Sequence, residues 1–215
     1  MENLFVILRT TMGLYSHYIF PLLMDWVMGG EEFQRLRTTV LRDAQGDVLE
    51  IGFGTGLNLS HYPKNISSLT LVDPARLLPH RVIERASAVS FPIHTRHMTA
   101  ESLPFHDPRF DTVISTWTLC TIPDPAKALR DVRRVLKPDG RFLFLEHGRS
   151  DDETVAKWQD RLNPLQNVIG CGCNLNRRID QLIEQSGLHL VHLDRFQMRN
   201  VPRIAGEMYQ GLARP

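Results

Sequence analysis

Short apolar segments alternate with helical segments along the middle of this chain, and this alternation restricts the fold more than any other feature. Four apolar runs, each bounded by turn residues, cover 47–51, 69–72, 110–115 and 141–146, and helical patterns between them cover 75–88 and 125–136. Strands that alternate with helices of this length form βαβ units. The sequence therefore predicts an α/β fold with a mainly parallel sheet and helices on both faces.

The two ends of the chain depart from this alternation. Residues 1–45 read as helical, with apolar positions at helical spacing that include Leu4, Phe5, Ile7 and Leu8. Near the C-terminus, helical patterns at 155–165 and 175–186 precede two stretches, 188–193 and 204–212, that are compatible with a pair of antiparallel strands. No repeat or low-complexity linker separates these parts, so we expect one domain.

The charge balance and the cysteine content exclude some classes of function. Lys plus Arg number 25 against 24 for Asp plus Glu, which gives a net charge of +1. Binding of nucleic acid requires a basic surface that neutralises phosphates, so we expect no nucleic-acid partner. Three cysteines form no even-numbered disulfide framework. They favour a reducing compartment, and we expect a cytoplasmic protein.

The most apolar region of the sequence is 3–28. Three residues interrupt it, namely Arg9, Pro21 and Asp25, and its longest uncharged stretch, 10–24, is shorter than the roughly 20 residues that cross a bilayer. We therefore expect no membrane-spanning segment.

A glycine-rich turn follows the first predicted strand, with the sequence Glu50-Ile51-Gly52-Phe53-Gly54-Thr55-Gly56. Glycines let the backbone turn tightly and approach a ligand, and a helix that follows such a turn presents free N–H groups. The spacing is Gly-x-Gly-x-Gly and differs from the Gly-x-Gly-x-x-Gly of dinucleotide-binding enzymes. A carboxylate at Glu50 would repel a pyrophosphate, whereas it suits a cationic ligand.

A second acidic residue, Asp73, ends the next predicted strand, at the distance where a carboxylate accepts hydrogen bonds from ribose hydroxyls. The alternative is that Asp73 caps a helix that begins after Pro74. Together with Glu50 it indicates a nucleoside with a positively charged tail and no phosphates, and S-adenosylmethionine is such a molecule. A reductase that binds NADH on the same kind of sheet is the alternative of a different class.

Four stretches of the chain resemble, in order, the motifs of class I S-adenosylmethionine-dependent methyltransferases. They cover 48–56, 99–105, 110–113 and 134–140, and the second usually carries Asp or Asn where this chain has Thr99. The resemblance spans 47–147. It implies a single Rossmann-like domain with a seven-stranded sheet that carries the cofactor across the carboxyl ends of its strands.

The resemblance also implies roles for individual residues. Glu50, Gly52 and Gly54 would flank the methionine part of the cofactor, and Asp73 the ribose. The complete predicted cofactor set is Glu50, Gly52, Phe53, Gly54, Gly56, Asp73, Thr99, Ala100, Glu101 and Thr116. Because N-terminal helices commonly cover the cleft in this fold, we expect 1–45 to form a helical lid on a cofactor-binding unit of 46–215.

Further stretches resemble two groups within this family. Residues 116–122, 145–148, 172–177 and 201–206 are similar to the subfamily that contains the membrane-associated thiol S-methyltransferases of animals. The run at 48–57, followed by His61-Tyr62-Pro63, is similar to bacterial phospholipid N-methyltransferases. We expect a small lipophilic acceptor, with a thiol ahead of phosphatidylethanolamine. A non-catalytic module that binds S-adenosylmethionine is the other alternative.

Methyl transfer is an in-line displacement, so it depends largely on how the acceptor is positioned. His147 and Glu146, at the end of the last long strand segment, are candidates for removing a proton from the acceptor. The alternative is a pair with a structural role. The stretch 116–120 carries no carboxylate that would hold a cationic amine. Trp117 and Phe53 are equally compatible with a pocket wall and with the core.

Cys171 and Cys173 are separated by one residue, and two thiolates at this spacing suggest a metal site. A structural zinc site takes four ligands, and only Cys120 remains among the cysteines, so the sequence predicts no metal and favours cysteines that pack or line the pocket. The apolar N-terminal segment has two compatible explanations. It forms a lid, or it makes a peripheral membrane contact that receives lipophilic substrates.

Overall fold

The computed structural model describes residues 14–106 and 108–215, so the predicted helical positions Leu4, Phe5, Ile7 and Leu8 lie outside the described residues. A π-helical turn, Tyr15–Ile19, leads into α1. The helices are α1 (Phe20–Met28), α2 (Glu31–Leu41), α3 (Pro79–Ser87), α4 (Pro125–Val135), α5 (Glu153–Ile169) and α6 (Ile179–Gln185), and Leu59–His61 forms a 3-10 turn. The strands are β1 (Asp47–Ile51), β2 (Ser68–Val72), β3 (Ile93–Arg96), β4 (Phe110–Thr116), β5 (Leu136–His147), β6 (His189–Gln197) and β7 (Glu207–Arg214).

The seven strands form one mixed sheet in the order β3-β2-β1-β4-β5-β7-β6. Strands β1 to β5 pair in parallel, whereas β7 runs antiparallel to both β5 and β6. This confirms the predicted fold class and the two C-terminal strands. From β1 the sheet is extended by β2 and β3 on one side, and the chain then crosses back to place β4 on the other side of β1. Ligands of α/β sheets bind at the carboxyl ends of the strands where the strand order reverses in this way.

Apolar residues of β1 alternate between the two faces of the sheet. Leu49 and Ile51 belong to a core layer that includes residues of α4 and α6, while Val48 belongs to the layer beneath α2. All three side chains are buried. Because helices cover both faces, the central strands are apolar along most of their length, as in other parallel sheets.

Strand β3 was not predicted from the residue pattern. Of its four residues only Ile93 is half-buried, and the other three side chains are exposed. An edge strand of this kind has no continuous apolar run, so hydrophobicity gives little sign of it. The resemblance implied a seventh strand without locating it.

The helix expected directly after the glycine turn is absent, and the prediction was wrong there. The segment forms only the 3-10 turn Leu59–His61. A longer helix does not fit in this segment, because Pro63 follows the 3-10 turn and β2 begins at Ser68. No helical N-terminus therefore faces a ligand at this turn.

Two other boundaries shifted for local reasons. The helix expected from residue 75 begins at Pro79, because Leu78 takes a left-handed conformation with φ of 42° and proline suits the first helical position. Strand β5 begins at Leu136, which pairs with Phe110. The sequence analysis had placed Leu136 in the preceding helix.

Among residues 14–106 and 108–215, none of the helices combines the length and the apolar character that crossing a bilayer requires.

Candidate functional site

A cavity of about 950 Å³ opens at the carboxyl ends of β1, β2, β4 and β5, and α1 covers part of it. Its volume is near the upper end of the range for ligand pockets, which leaves space for two small molecules. Nine predicted cofactor residues line it, namely Glu50, Gly52, Phe53, Gly54, Asp73, Thr99, Ala100, Glu101 and Thr116. Trp117 and His147 also line the cavity. Gly56 lies outside the lining, and its backbone N–H closes the turn by donating to the carbonyl of Phe53 at 2.9 Å.

The glycine turn depends on backbone conformations that other residues rarely adopt. Gly52 has φ of 70° and Gly54 has φ of 53°, both in the left-handed region. A side chain at Gly52 would overlap Thr118, whereas nothing lies within 4 Å of the position that a Cβ of Gly54 would take. At Gly54 the requirement is therefore conformational, and its backbone faces open space in the cavity.

Asp73 holds this turn in place. Its Oδ2 accepts a hydrogen bond from the N–H of Gly54 at 2.9 Å, and its Oδ1 accepts one from the N–H of Ala75 at 2.8 Å. Burial raises the pKa of the Asp73 carboxyl, and these two donors partly oppose that rise. Asp73 does not cap a helix, because α3 begins only at Pro79. Each carboxylate oxygen keeps acceptor capacity for ribose hydroxyls.

Glu50 is 2% exposed, and both of its carboxylate oxygens have partners. Oε1 accepts from Nδ2 of Asn58 at 2.9 Å, and Oε2 accepts from the hydroxyl of Tyr62 at 2.6 Å. Burial raises the pKa of Glu50 to about 7, although both hydrogen bonds lower it. A cationic ligand beside Glu50 would favour the ionised form. The sequence analysis missed the role of Asn58, and it noted Tyr62 only as part of a resemblance.

Arg37, on α2, brings a positive charge to the same part of the cavity and was also missed. Its Nη1 donates to the carbonyl of Met28 at 2.9 Å, and its guanidinium lies 4.7 Å from the centre of the Trp117 ring. Its Nε has no hydrogen-bond partner among the described residues. Burial lowers the pKa of Arg37 to about 10, so it remains charged at neutral pH. Arg37 and Glu50 together match the two charges of an amino-acid group.

Asp25 connects α1 to the rest of the site. This carboxylate is 4% exposed, accepts a hydrogen bond from Oγ1 of Thr55 at 2.5 Å, and pairs with Nη1 of Arg85 at 2.7 Å. It also pairs with Arg81, which lies with Arg85 on α3. The sequence analysis treated Asp25 only as an interruption of an apolar region. The contacts show that it fastens α1 beside the glycine turn.

Thr99 and Glu101 form a small hydrogen-bonded turn at the cavity wall. The Oγ1 of Thr99 accepts from the N–H of Glu101 at 2.9 Å and donates to its Oε2 at 2.7 Å. The Oε1 of Glu101 accepts from the N–H of Asp124 at 2.7 Å. The hydroxyl of Thr99 thus stabilises this turn through two hydrogen bonds with Glu101.

His147, which also lines the cavity, meets two cysteines from different parts of the chain. The Sγ of Cys173 lies 3.4 Å from Nε2 of His147, and the Sγ of Cys120 completes a cluster whose ligand atoms all lie within 4.8 Å of one another. Burial lowers the pKa of His147, but the contact with Cys173 and the charge of Glu146 outweigh it, so the pKa lies above its usual value. Cys171 lines the cavity outside this cluster.

Glu146, the other candidate for proton transfer, lies outside the cavity lining. It is fully buried and accepts hydrogen bonds from Oγ of Ser115 at 2.6 Å and from the N–H of Thr118 at 2.9 Å. Between these two residues Trp117 has φ of 49°, a strained conformation for a residue with a side chain. Glu146 therefore positions the segment that follows β4.

The residues that line the cavity fall into two stretches of the chain. The predicted cofactor residues all precede residue 118. Beyond Pro123, the lining continues only from the end of β5 onward, with His147, Gln166, Gly170, Cys171, Cys173, Leu175, Met198, Val201 and Ala205. We call these residues, together with Cys120, the acceptor end.

The sequence of this chain matches those of known methyltransferases. The profile of the family described as methyltransferase domain matches residues 49–144. Human thiol S-methyltransferase TMT1A is 29% identical over 171 residues, which cover 78% of this chain and 70% of that protein. Phosphatidylethanolamine N-methyltransferase of Cereibacter sphaeroides is 30% identical over 142 residues, which cover 65% of this chain and 70% of that protein.

A solved structure shows the same fold. N-methyltransferase NodS from Bradyrhizobium japonicum WM9, in complex with S-adenosyl-l-homocysteine, superposes with a TM-score of 0.63 at 18% identity, over 86% of this chain and 88% of that chain. The chain spans between 36% and 70% of the length of the first curated relatives that it matches.

Proposed function

The chain belongs to the class I S-adenosylmethionine-dependent methyltransferases, and we propose that it transfers the methyl group of this cofactor to a small lipophilic thiol. The observation that carries the proposal is the chemistry of the acceptor end. Apolar residues, Gly170, Gln166, three cysteines and one histidine line it, whereas the acidic residues of the cavity lie on α1, in β1, after β2 and in the turn at Thr99. An ammonium substrate would find no carboxylate among the lining residues that follow β4 or β5.

The cofactor end supports binding of S-adenosylmethionine in a defined direction. Asp73 would accept the ribose hydroxyls, and Thr99, Ala100 and Glu101 would flank the adenine. Glu50 and Arg37 would take the ammonium and the carboxylate of the methionine part. In this arrangement the sulfonium would face the acceptor end.

In the proposed reaction the thiol gives its proton to His147, and the resulting thiolate attacks the methyl carbon. The new S–C bond forms as the bond from that carbon to the sulfonium breaks. The electron pair of the broken bond stays on the cofactor sulfur, which leaves S-adenosylhomocysteine and a methyl thioether. Holding the two sulfur atoms in line with the methyl carbon supplies most of the rate enhancement, since the reaction is a simple displacement. We assign His147 a catalytic role in activating the thiol.

Exposed apolar side chains near the cavity support a peripheral membrane contact as the route for a lipophilic acceptor. Trp26 on α1 is 77% exposed. Other exposed apolar side chains on the N-terminal helical segment and on α5 are Leu14, Tyr18, Ile19, Leu22, Leu23, Val27, Trp158, Leu165, Val168 and Ile169. Tyr15 links the two elements, since its hydroxyl donates to the carbonyl of Ile169 at 2.8 Å. Helix α1 contains no Lys or Arg, so we expect an apolar rather than an electrostatic contact.

The same surface suits phosphatidylethanolamine, which is the second candidate acceptor. It is favoured by the similarity to the Cereibacter sphaeroides enzyme. A cytoplasmic location, with or without membrane contact, stays a prediction that rests on the three free cysteines.

The test is methyl transfer from labelled S-adenosylmethionine to three acceptors, namely an aryl thiol, phosphatidylethanolamine in vesicles and a soluble primary amine. We expect the highest kcat/KM for the thiol, and Asp73→Ala should raise the KM for S-adenosylmethionine about 100-fold. Methylation of phosphatidylethanolamine with every thiol untouched would replace the thiol by the phospholipid. Cofactor binding without any methylated acceptor would favour a non-catalytic binding module, and tight NADH binding without a response to S-adenosylhomocysteine would favour a reductase.

A further inference from the structure

Three side chains that bind soft metal ions converge at the acceptor end from separate elements. Cys120 follows β4, His147 ends β5, and Cys173 lies between α5 and α6. Their ligand atoms all lie within 4.8 Å of one another. In a tetrahedral zinc site two sulfurs stand about 3.8 Å apart, and a sulfur and a nitrogen about 3.5 Å apart, given Zn–S of about 2.3 Å and Zn–N of about 2.0 Å. The 3.4 Å between Sγ of Cys173 and Nε2 of His147 already has this spacing.

The cysteine-bearing loops are fixed by contacts that do not use the thiols. The backbone N–H and the side-chain Nδ2 of Asn174 both donate to the carbonyl of Cys120 at 2.9 Å, so the two loops are joined beside the cluster. Nη1 of Arg177 donates to the carbonyl of Ile122 at 2.7 Å and to that of Leu119. The positions of both sulfurs are therefore set by the backbone, as a binding site for a small ion requires.

His147 presents its Nε2 to the cluster. The imidazole is buried, and its Nδ1, on the other side of the ring, has no hydrogen-bond partner among the described residues. Here its described polar contact is with the sulfur of Cys173, inside the cluster, and the ring lines the cavity.

We propose that Cys120, His147 and Cys173 bind one zinc ion whose fourth coordination position faces the cavity and takes the sulfur of the acceptor thiol. Two cysteines, one histidine and an open position form a ligand set known from catalytic zinc sites. Metal binding does not depend on the identity of the acceptor, whereas the use of the open position rests on the proposed thiol substrate. A metal-bound thiol is deprotonated, so zinc gives the nucleophile at neutral pH and His147 acts as a ligand instead of a base.

The reaction then balances without a further reagent. The thiol replaces a water molecule on zinc and releases its proton to solvent. The zinc-bound thiolate attacks the methyl carbon, and the electron pair of the broken C–S bond goes to the cofactor sulfur. The neutral thioether product is a weak ligand, so water replaces it.

The first experiment measures metal binding to the full chain after reduction and removal of metal. We expect one zinc per chain, and in the cobalt-loaded protein a thiolate-to-cobalt charge-transfer band. Cys173→Ser and Cys120→Ser should raise the zinc Kd at least about 100-fold, because loss of partners outside the ligand shell alone costs 10- to 100-fold. Cys171→Ser is the matched control, since Cys171 lines the same cavity outside the cluster, and it should bind zinc as the parent chain does. Binding of S-adenosylhomocysteine shows that each variant is folded.

The second experiment adds an aryl thiol to the cobalt-loaded protein and records the charge-transfer band, which should intensify as a third sulfur binds. Absence of stoichiometric zinc in the reduced chain, or equal loss in Cys171→Ser and Cys173→Ser, overturns the metal site. The metal site is also overturned if Cys120 and Cys173 form a disulfide and the chain binds no zinc after this disulfide is reduced. Thiol methylation by such a metal-free chain leaves the proposed function standing. Zinc binding with no spectral response to thiols overturns the role of the open position, and the methyl-transfer assay then decides separately whether a thiol is the substrate.

Discussion

Oγ1 of Thr55 donates a 2.5 Å hydrogen bond to Oδ1 of Asp25, and this contact joins α1 to the glycine turn beneath it. The same carboxylate pairs with Arg85 at 2.7 Å and with Arg81 on α3. The helix above the cavity is thus fastened at one buried point. Loss of the Asp25 carboxylate should therefore lower the stability of the protein and speed the release of the cofactor.

We expect Asp25→Ala to lower the free energy of unfolding by about 2 kcal/mol. That is less than the 3–5 kcal/mol for a fully buried pair, because the side chains of Arg81 and Arg85 are 38% and 27% exposed and water replaces part of the lost contact. S-adenosylhomocysteine should dissociate about tenfold faster in stopped-flow measurements. Glu32→Ala is the control. It removes an exposed pair with Arg35 on α2 and should change stability by less than about 1 kcal/mol. Equal dissociation rates in Asp25→Ala and the parent chain would show that α1 does not retain the cofactor.

The raised pKa of Glu50 predicts a pH dependence of stability in the cofactor-free protein. Its pKa is about 7 in the folded chain against an ordinary value of 4.5, so the folded state binds the proton more tightly. This contribution is complete below pH 4.5 and is lost as the pH rises to about 7. It amounts to roughly 3 kcal/mol at most, at 1.4 kcal/mol for each pKa unit.

Urea unfolding of the parent chain and of Glu50→Gln between pH 5 and pH 8 isolates this contribution. The parent should lose stability relative to the variant as the pH rises, and S-adenosylhomocysteine should reduce the difference because its ammonium favours the ionised carboxylate. Parallel stability curves for the two proteins would contradict a raised pKa at Glu50.

Arg37 should discriminate between ligands that carry an amino-acid group and ligands that lack it. Arg37→Met keeps much of the packing against Trp117 and removes the charge. We expect the Kd for S-adenosylhomocysteine to rise 10- to 100-fold, because a hydrogen bond to a charged group is worth about 1.5–3 kcal/mol. The Kd for 5′-methylthioadenosine, which has no carboxylate, should change less than threefold. A similar loss for both ligands would assign Arg37 a structural role.

Asp73→Ala should weaken S-adenosylhomocysteine binding about 100-fold in calorimetric titration, since it removes the proposed ribose contact and the partner of the Gly54 N–H. Asp111→Ala is a matched control at the opposite edge of the sheet, where Asp111 accepts from the N–H of Asp47 and from Lys137, both at 2.8 Å. That variant should lose stability with cofactor affinity unchanged. An unaltered Kd in Asp73→Ala would remove the ribose assignment.

The sequence predicted the parts of the fold that rest on continuous apolar runs and on glycine turns. Strands β1, β2 and β4 lie within a residue of their predicted positions, because their buried side chains are consecutive in the sequence. The exposed edge strand β3 gave no such signal, and the segment after Gly56 is too short and too constrained by Pro63 for the expected helix.

The candidate site was predictable only where its residues are close in sequence. The predicted residues Glu50, 52–54 and 99–101, with Asp73, line one cavity in the structure. Asp25 and Arg85 are 60 positions apart, so their contact leaves no trace in either local pattern. The cluster of Cys120, His147 and Cys173 depends in the same way on two loops and the end of β5, which meet only in the folded chain.

The predicted cofactor residues come early in the sequence and the acceptor residues, except Cys120, come late. This order affects how the acceptor specificity of related enzymes can change. Recombination at a junction near His147 would exchange Gln166, Cys173, Leu175 and Met198 as one block, while every predicted cofactor residue stays with its own half. A chimera of this chain and a relative should therefore inherit its methyl donor from the first parent and its choice of acceptor mostly from the second. Cys120 is the exception, because it stays with the first part of the chain, so inheritance of thiol chemistry requires that the first parent carries this cysteine.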